Sequence, residues 1–238
     1  MKKLHLKVFA MLLFVVVYVT VYTASQWKTA HTVSTLMQVP VTVIVDAGHG
    51  GEDCGALSSA GIRESDINLY ISLKLEQMLA LCGIRPYLIR DEDISVHTEG
   101  NTIRERKVSD LNNRIDIINS FQNAVVISIH QNHFSESRYS GAQVFYAQTE
   151  RSKDLADKTQ TYLKIALDPS NRRETKEAES VYIMKKIRCP GILVECGFLS
   201  NPQEERLLLN DNYQTKVSCA ISCALIQYLE KGVREVEV

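Results

Sequence analysis

Residues 41–83 read VTVIVDAGHGGEDCGALSSAGIRESDINLYISLKLEQMLALCG, and this stretch indicates the class of fold. Its first five residues are a continuous apolar run, which is typical of a strand buried on both faces. A glycine-rich loop follows, and from about residue 65 apolar side chains recur at helical spacing until Gly83 ends the pattern. A strand, a loop and a helix in this order predict the first βα unit of a parallel sheet.

The same alternation continues along the chain. Short runs rich in Val and Ile predict further strands at 84–90, 124–130, 142–147, 180–186 and 191–198. Apolar residues at helical spacing predict helices at 104–119, 153–167 and 213–229. We therefore predict a single α/β domain with a largely parallel sheet flanked by helices. Pro86 places the second strand near an edge of that sheet or makes its start irregular.

Composition and charge narrow the class of protein. With 45% hydrophobic residues, a chain of 238 residues can bury a substantial core in one domain. Lys and Arg total 27 against 28 Asp and Glu, so the charges nearly balance. This balance gives no reason to expect a nucleic-acid partner.

The N-terminus has the pattern of an export segment. Three lysines (Lys2, Lys3 and Lys7) precede an apolar run at 8–22, and no further charge occurs before Lys28. A positive region followed by an apolar region is typical of a signal peptide, and a slightly longer apolar run would serve as a membrane anchor. Both alternatives stay open for residues 1–26, and both place the rest of the chain outside the cytoplasm.

The remaining boundaries follow from the element pattern. We expect a linker at 27–40, a catalytic domain at 41–232 and a short tail at 233–238. Six cysteines occur without any C-x-x-C pair, and export permits disulfides without requiring them. Three of them lie inside apolar helical patterns, where a buried thiol is expected, namely Cys82, Cys219 and Cys223.

Three of the predicted strands end with a side chain that can bind a metal or transfer a proton. These side chains are His49, His130 and Glu195. In open α/β sheets ligands bind outside the carboxyl ends of the strands, so the three residues are expected to converge. Taken singly, a histidine after a strand is more often a solvated loop residue. A carboxylate within the apolar run around Glu195 is different, because burying an unpaired charge is unfavourable.

Glu64 can join this group, since a loop of about fifteen residues connects it to His49. Taken alone, a glutamate here is explained by the positive end of the helix dipole. Two imidazoles and one carboxylate nevertheless form the donor set of a catalytic zinc site with one position left for water. Amide hydrolysis also needs a group that takes a proton and then delivers it to the leaving amine, and Glu195 is the candidate.

Neighbouring residues fit this hypothesis. Gly48, Gly50 and Gly51 allow the backbone to turn sharply beneath a metal. Asp46 and Asn132 are the candidates for orienting a ligating histidine through its second ring nitrogen. His133 forms an H-x-x-H pattern with His130, but it lies past the end of the strand. We therefore expect His133 to be exposed and not to bind the metal.

Four motifs around these residues resemble a known family in order and spacing. They are VIVDAGHGGEDCGA with His49, GIRESDINL with Glu64, ISIHQNHF with His130 and ILVECGFLSN with Glu195. This set resembles the zinc-dependent N-acetylmuramoyl-L-alanine amidases of the amidase-3 type, over about residues 41–230. Within that family the chain looks most like the germination-specific amidases of the spore cortex.

The resemblance implies a six-stranded α/β domain and one Zn²⁺ held by His49, Glu64 and His130, with Glu195 as the catalytic glutamate. It implies hydrolysis of the amide between the lactyl group of N-acetylmuramic acid and L-alanine of the peptidoglycan stem peptide. In spores this reaction precedes the formation of muramic-δ-lactam by a separate deacetylase. The chain departs from the family pattern at Ala47, where proline is common.

Two other functions stay open at the level of the sequence. One is a zinc carboxypeptidase or another peptidoglycan peptidase with an equivalent two-histidine, one-glutamate site. The other is a peptidoglycan-binding regulator that has kept the fold and lost turnover, although the presence of Glu195 argues against it. An accessory protein, a homodimer and membrane contact through the N-terminal segment are compatible with the sequence. Four basic residues are candidates for binding carboxylates of the stem peptide, namely Arg63, Arg172, Arg173 and Lys176.

Overall fold

A computed structural model describes residues 16–18, 20–21 and 41–236, with side chains up to Lys231. The chain forms two units, Met1–Val39 and Pro40–Val238. In the first unit the few described residues are helical, and the predicted leader and linker otherwise lie outside the described residues. Among the helices of the described part, none combines the length and the apolar character needed to cross a membrane.

The second unit is built on a six-stranded sheet. Its strands are β1 (Thr42–Ala47), β2 (Tyr87–Leu88), β3 (Ala124–Asn132), β4 (Gln143–Tyr146), β5 (Lys176–Glu177) and β6 (Gly191–Phe198). They lie in the order β2-β1-β3-β6-β4-β5, and only the pair β4 and β6 is antiparallel. The predicted α/β class and mostly parallel sheet are confirmed, and β2 with its preceding Pro86 lies at the edge, as expected.

Helices cover both faces of this sheet. They are α1 (Glu64–Leu81), α2 (Ile103–Ser120), α3 (Ser152–Leu167), α4 (Tyr182–Lys186), α5 (Pro202–Leu208) and α6 (Asp211–Val236). Helix α2 begins with a capping box, in which the side chains of Thr102 and Glu105 each accept from the other residue's backbone N–H. The Asn201 side chain caps α5 in a similar way by accepting from two backbone N–H groups.

The alternating side chains of the central strands contribute to two hydrophobic cores, one on each face of the sheet. Val43 and Val45 of β1 face the core formed with α1, α3 and α6, whereas Ile44 faces the core formed with α2 and α4. Because successive side chains of a strand point to opposite faces, a strand covered by helices on both faces must be apolar throughout. This explains the uninterrupted apolar run at residues 41–45.

The strand prediction for residues 180–186 is wrong. Residues Tyr182–Lys186 form the short helix α4, and the strand in this part of the chain is the polar pair Lys176–Glu177. The buried residues of this segment are Ile183, Met184 and Ile187, a spacing of one and four that fits a helical turn and not an alternating strand. β5 escaped detection because an exposed edge strand of two polar residues carries no apolar signal.

The expectation of buried thiols is also wrong for three cysteines. Cys82, Cys219 and Cys223 are exposed, and all six cysteines are free thiols. Val217, Ile221 and Leu225 form the buried stripe of α6, so Cys219 and Cys223 fall outside it. The apolar helical pattern in the sequence therefore does not show which residues of the helix face the core.

Register brings the carboxyl ends of three strands together. β1 and β3 pair through Ala47 opposite Ile129, and His130 of β3 lies opposite Glu195 of β6. On the far side of β6, the antiparallel strand β4 places Gln143 opposite Glu195. The convergence that was inferred from the strand ends is therefore realised at the centre of the sheet.

Candidate active site

His49 leaves β1 in an unusual backbone conformation. Its φ of 61° lies in the left-handed region, which residues other than glycine seldom occupy. The preceding residue, Gly48, packs so closely on the second histidine that an added Cβ would lie 2.2 Å from Nε2 of His130. Glycine at 48 therefore allows the backbone of the first motif to pass directly beneath the ring of His130.

The three predicted ligands lie close together. Nε2 of His49 is 3.4 Å from Oε2 of Glu64, and Nδ1 of His130 is 2.9 Å from Oε1 of the same carboxylate. One donor atom from each residue can be chosen so that all three lie within 4.8 Å of one another. No other group of this kind occurs in the described part of the chain. A cluster of two imidazoles and a carboxylate at this separation can hold one divalent cation.

Glu64 is held from several sides. Its carboxylate accepts from the backbone N–H of Ala56 at 2.9 Å and of Gln131 at 3.1 Å, and from the Asn68 amide at 3.3 Å. Burial alone would raise the pKa of Glu64, but its bonds to His130 and His49 outweigh burial and hold the pKa far below its usual range. The group is therefore an anion in a fixed orientation, as a metal ligand needs to be.

Asp53 orients the first histidine. Its Oδ2 lies 2.8 Å from Nδ1 of His49, and Lys107 lies 3.1 Å from the same carboxylate oxygen. Burial alone would lower the pKa of His49, but the bonds to Asp53 and Glu64 raise it to about 9. With Nδ1 directed at Asp53, Nε2 is the nitrogen that faces Glu64, which is the usual arrangement of a ligating histidine.

The predicted orienting residues are placed differently. Asp46 is fully buried, and it accepts from Arg114 at 2.5 Å and from the Ser128 hydroxyl at 2.7 Å instead of contacting a histidine. Asn132 makes no side-chain hydrogen bond within the described residues. The prediction is corrected because the Asp46 side chain projects from β1 towards Arg114 of α2, whereas Asp53 belongs to the glycine loop that folds back over His49.

Two buried arginines hold the backbone of the first motif, and sequence reasoning missed both. Arg114 of α2 donates to the carbonyls of Ala47 at 2.9 Å and His49 at 2.7 Å. Arg90 donates to the carbonyls of Ala47 at 2.9 Å and Gly48 at 3.0 Å. A pattern that could have indicated Arg114 is the Asp110–Arg114 pair at i,i+4, but such pairs are usually exposed.

Glu195 has the opposite environment to Glu64. Its Oε2 is buried and has no hydrogen-bond partner among the described residues. Burial raises the pKa of Glu195 to about 7, while the His130 charge lowers it and the Glu64 charge raises it further. A carboxyl group with such a pKa can both accept and release a proton near neutral pH.

The other predicted residues are spread around this centre. Arg63 is held by Asp93 at 2.8 Å and by the carbonyl of Gly51 at 2.6 Å. Lys176 is exposed on β5, and His133 is exposed after β3, as expected. Two further candidates line a surface cavity on the β4 side of Glu195, namely Arg172 and Arg173.

The fold and the donor set define a single α/β domain with a two-histidine, one-glutamate site and a separate buried glutamate. Residues 43–227 match the family model of the N-acetylmuramoyl-L-alanine amidases of the amidase-3 type. The chain belongs to this family, and it is an enzyme that acts as a peptidoglycan N-acetylmuramoyl-L-alanine amidase.

Individual relatives agree with this assignment. The germination-specific N-acetylmuramoyl-L-alanine amidase of Bacillus subtilis (strain 168) is 34% identical over 193 residues, covering 80% of this chain and 81% of that protein. The structure of the CwlD amidase from Clostridioides difficile in complex with the GerS lipoprotein is 41% identical, with a TM-score of 0.76. That alignment covers 79% of this chain and 98% of the CwlD chain. An N-acetylmuramoyl-L-alanine amidase structure from Clostridium difficile 630 is 29% identical, with a TM-score of 0.70, covering 79% and 96% of the two chains.

Proposed function

We propose that this amidase is zinc-dependent and acts in maturation of the spore cortex. In this proposal it cleaves the amide between the lactyl group of N-acetylmuramic acid and L-alanine, and the stripped muramic acid then becomes muramic-δ-lactam. The similarity to the germination-specific amidase of Bacillus subtilis supports the cortex role. The proposed site of action is extracytoplasmic, after export through the segment at residues 1–26.

One observation carries the zinc proposal. His49, Glu64 and His130 come from separate parts of the chain, and one donor atom of each lies within 4.8 Å of the other two. Gly48 is needed for this arrangement, since a Cβ there would overlap the His130 ring. Nitrogen and oxygen donors in a set of three suit a catalytic zinc ion, which keeps its remaining position open. When bound, zinc would supply a Lewis acid that polarises the amide carbonyl and makes water a better nucleophile.

Glu195 performs the proton transfers in this proposal. It lies opposite His130 in the sheet, and its Oε2 has no protein partner in the part of the chain that the structure describes. With a pKa of about 7 it accepts the proton of the attacking water and then delivers that proton to the leaving amine of L-alanine. Delivery of the proton is required because without it the nitrogen would have to leave as an amide anion, which is a very poor leaving group.

Basic residues around the site are proposed to receive the stem peptide. Arg172 and Arg173 border a cavity beside the site, and Lys176 is exposed on the neighbouring strand. Arg63 is already bound to Asp93 and Gly51, so we assign it a part in holding the glycine loop. Since the CwlD amidase was solved in complex with the GerS lipoprotein, we also propose that an accessory protein acts on this chain.

Analysis of muropeptides tests the function. Purified chain is incubated with peptidoglycan fragments, with and without a chelator, and products are separated and identified by mass. We expect release of whole stem peptides with a free L-alanine amine, loss of activity with the chelator, and recovery with zinc. Release of single C-terminal residues would instead indicate a carboxypeptidase. Absence of any zinc-restored product would indicate a binding protein or a need for the accessory protein, and addition of a partner such as the GerS lipoprotein separates those two.

A further inference from the structure

A surface cavity of about 450 Å³ lies on the β4 side of the site. The loop before β4 and the segment between α3 and β5 form its walls, which carry Arg138, Arg172 and Arg173 together with polar groups of Ser140 and Asn171. Asp168 is the acidic residue of the lining, and its side chain is engaged by the backbone N–H and hydroxyl of Ser170. Arg138 is paired with Glu136 at 2.7 Å, so Arg172 and Arg173 are the cations that give the cavity a positive potential favouring an anionic ligand.

Arg173 is fixed by neutral groups alone. Its Nε donates to the carbonyl of Ser140 at 2.7 Å, and Nη1 donates to Oε1 of Gln143 at 3.1 Å. The guanidinium also stacks on the ring of Phe198, with its carbon 4.5 Å from the ring centre. Within the described residues no carboxylate lies within 4.0 Å of it, and Nη2 has no hydrogen-bond partner.

This arrangement differs from that of Arg63, which binds Asp93 at 2.8 Å. Glu204 is close enough to interact with the charge of Arg173, but its oxygens accept from the backbone N–H groups of Gly141 and Phe198, both at 2.8 Å. Arg173 is therefore an ordered cation whose charge is not neutralised by direct contact. A guanidinium held in this way is prepared to bind a carboxylate with little loss of side-chain freedom.

Gln143 connects this cation to the catalytic centre. It lies opposite Glu195 in the antiparallel pair of β4 and β6, and side chains opposite one another project from the same face about 5 Å apart. Arg173 donates a hydrogen bond to the side chain of Gln143 and so lies next to it. Since an extended peptide advances about 3.3–3.6 Å per residue, we expect Arg173 to lie within reach of a residue one or two positions from the amide cleaved beside Glu195.

We infer that Arg173 determines specificity by binding a free carboxylate on the stem-peptide residue that follows L-alanine. The inference rests on the proposed function, because it takes the cleaved amide to be the one at L-alanine. A charge-assisted bond between Arg173 and this carboxylate would stabilise the bound substrate and fix the amide over Glu195. Arg172 adds to the positive potential of the cavity, whereas the charge of Arg138 is paired with Glu136.

The test compares two synthetic muropeptides that differ only at this residue, one with the free carboxylate and one with the corresponding amide. We expect the wild-type enzyme to favour the carboxylate substrate by about 10- to 100-fold in kcat/KM, as a hydrogen bond between charged groups would give. Arg173→Met should reduce this preference to near unity, mainly through KM of the carboxylate substrate, and Arg173→Lys should restore part of it.

Arg188→Met serves as the matched control, since Arg188 is exposed before the opposite, N-terminal end of β6. It removes the same charge and should keep the preference. An unchanged preference in Arg173→Met, or an equal loss on both substrates, would overturn the inference and leave Arg173 with a structural part. If zinc-loaded wild-type enzyme cleaves neither substrate, even with the accessory protein added, the proposed function fails instead. Calorimetric binding of the two muropeptides to the Glu195→Gln protein then decides whether Arg173 selects the carboxylate.

Discussion

The start of α1 and the middle of β6 each contribute a glutamate to the site at the carboxyl ends of the central strands. The surroundings of the two glutamates differ. Glu64 at the start of α1 accepts from two backbone N–H groups and contacts both histidines. Glu195 of β6 has a buried oxygen with no partner among the described residues. The pKa of Glu64 is strongly lowered, whereas that of Glu195 is raised to about 7.

The difference shows how one residue type serves two purposes at one site. A carboxylate that is hydrogen-bonded on several sides stays ionised and fixed, which suits a metal ligand. A carboxylate that is desolvated without a partner holds its proton more readily, which suits an acid and base. Both residues are glutamates, so the role of each is set by the hydrogen-bond donors around it and not by the residue type.

The largest effects are expected from the same substitution at both glutamates. Glu195→Gln should lower kcat by about 10²- to 10⁴-fold, the range of a lost general acid and base, while zinc content stays near one per chain. Glu64→Gln should instead lower zinc content, because it removes an anionic ligand. Product chromatography and metal analysis by mass spectrometry measure the two effects.

Glu179→Gln is the control for these variants, since Glu179 is exposed and should leave both kcat and zinc content as they are. Full activity in Glu195→Gln would contradict the role of Glu195 as the proton carrier. Retention of tight zinc binding in Glu64→Gln would show that the fixed carboxylate is not a ligand.

The second prediction concerns what keeps the backbone around His49 rigid. Arg114→Met should lower the free energy of unfolding by about 3–5 kcal/mol, because it leaves Asp46 as a buried charge without its cation. Arg104→Met, on the exposed face of the same helix, should change it by less than about 0.5 kcal/mol. Urea unfolding followed by circular dichroism provides the measurement, and equal effects of the two variants would contradict it.

The pH dependence of stability tests the same ion pair. Burial alone would raise the pKa of Asp46, but Arg114 and Ser128 outweigh burial and lower it below 3.8. A carboxyl with a lowered pKa stabilises the folded state above its unfolded pKa, and this contribution is lost as the pH falls. The stability difference between wild type and Asp46→Asn should therefore be largest near neutral pH and shrink below about pH 4. A difference that grows in acid would have the wrong sign.

The smallest expected effect concerns the orientation of His49. Asp53→Asn should weaken zinc binding by about 10- to 100-fold, as loss of a partner of a ligating histidine usually does. Glu52→Gln is the control, because Glu52 lies in the same loop and binds Arg106 instead of a histidine. Competition with a chromogenic chelator measures both affinities. Equal affinities in the two variants would show that Asp53 does not orient the ligand.

Much of the fold could be predicted from local patterns. The apolar strands β1, β3 and β6 are buried on both faces, so every residue in them contributes to the signal. β5 and α4 were not predicted correctly, because an exposed two-residue strand has no apolar pattern and a five-residue helix shares its pattern with a strand. Short elements of this kind are decided by the neighbours on which they pack.

The candidate site divides in the same way. His49, His130 and Glu195 lie at or near the carboxyl ends of apolar strands, and the rule that ligands bind at such ends predicts that they converge. Asp53, Arg90 and Arg114 act through hydrogen bonds between segments that are distant in sequence, such as the bond from Arg114 to the carbonyl of His49. Polar residues in such roles have no periodicity or motif of their own that separates them from exposed ones.

The α/β class, the positions of the central strands and the residues able to form a metal site can be predicted from the sequence, because burial and strand polarity are local properties. Three features appear only in the folded chain: Asp53 and not Asp46 faces His49, two arginines hold the first motif, and Glu64 and Glu195 have opposite pKa shifts. These features depend on which groups from remote segments come within a few ångströms, since desolvation and hydrogen bonding act only at that range.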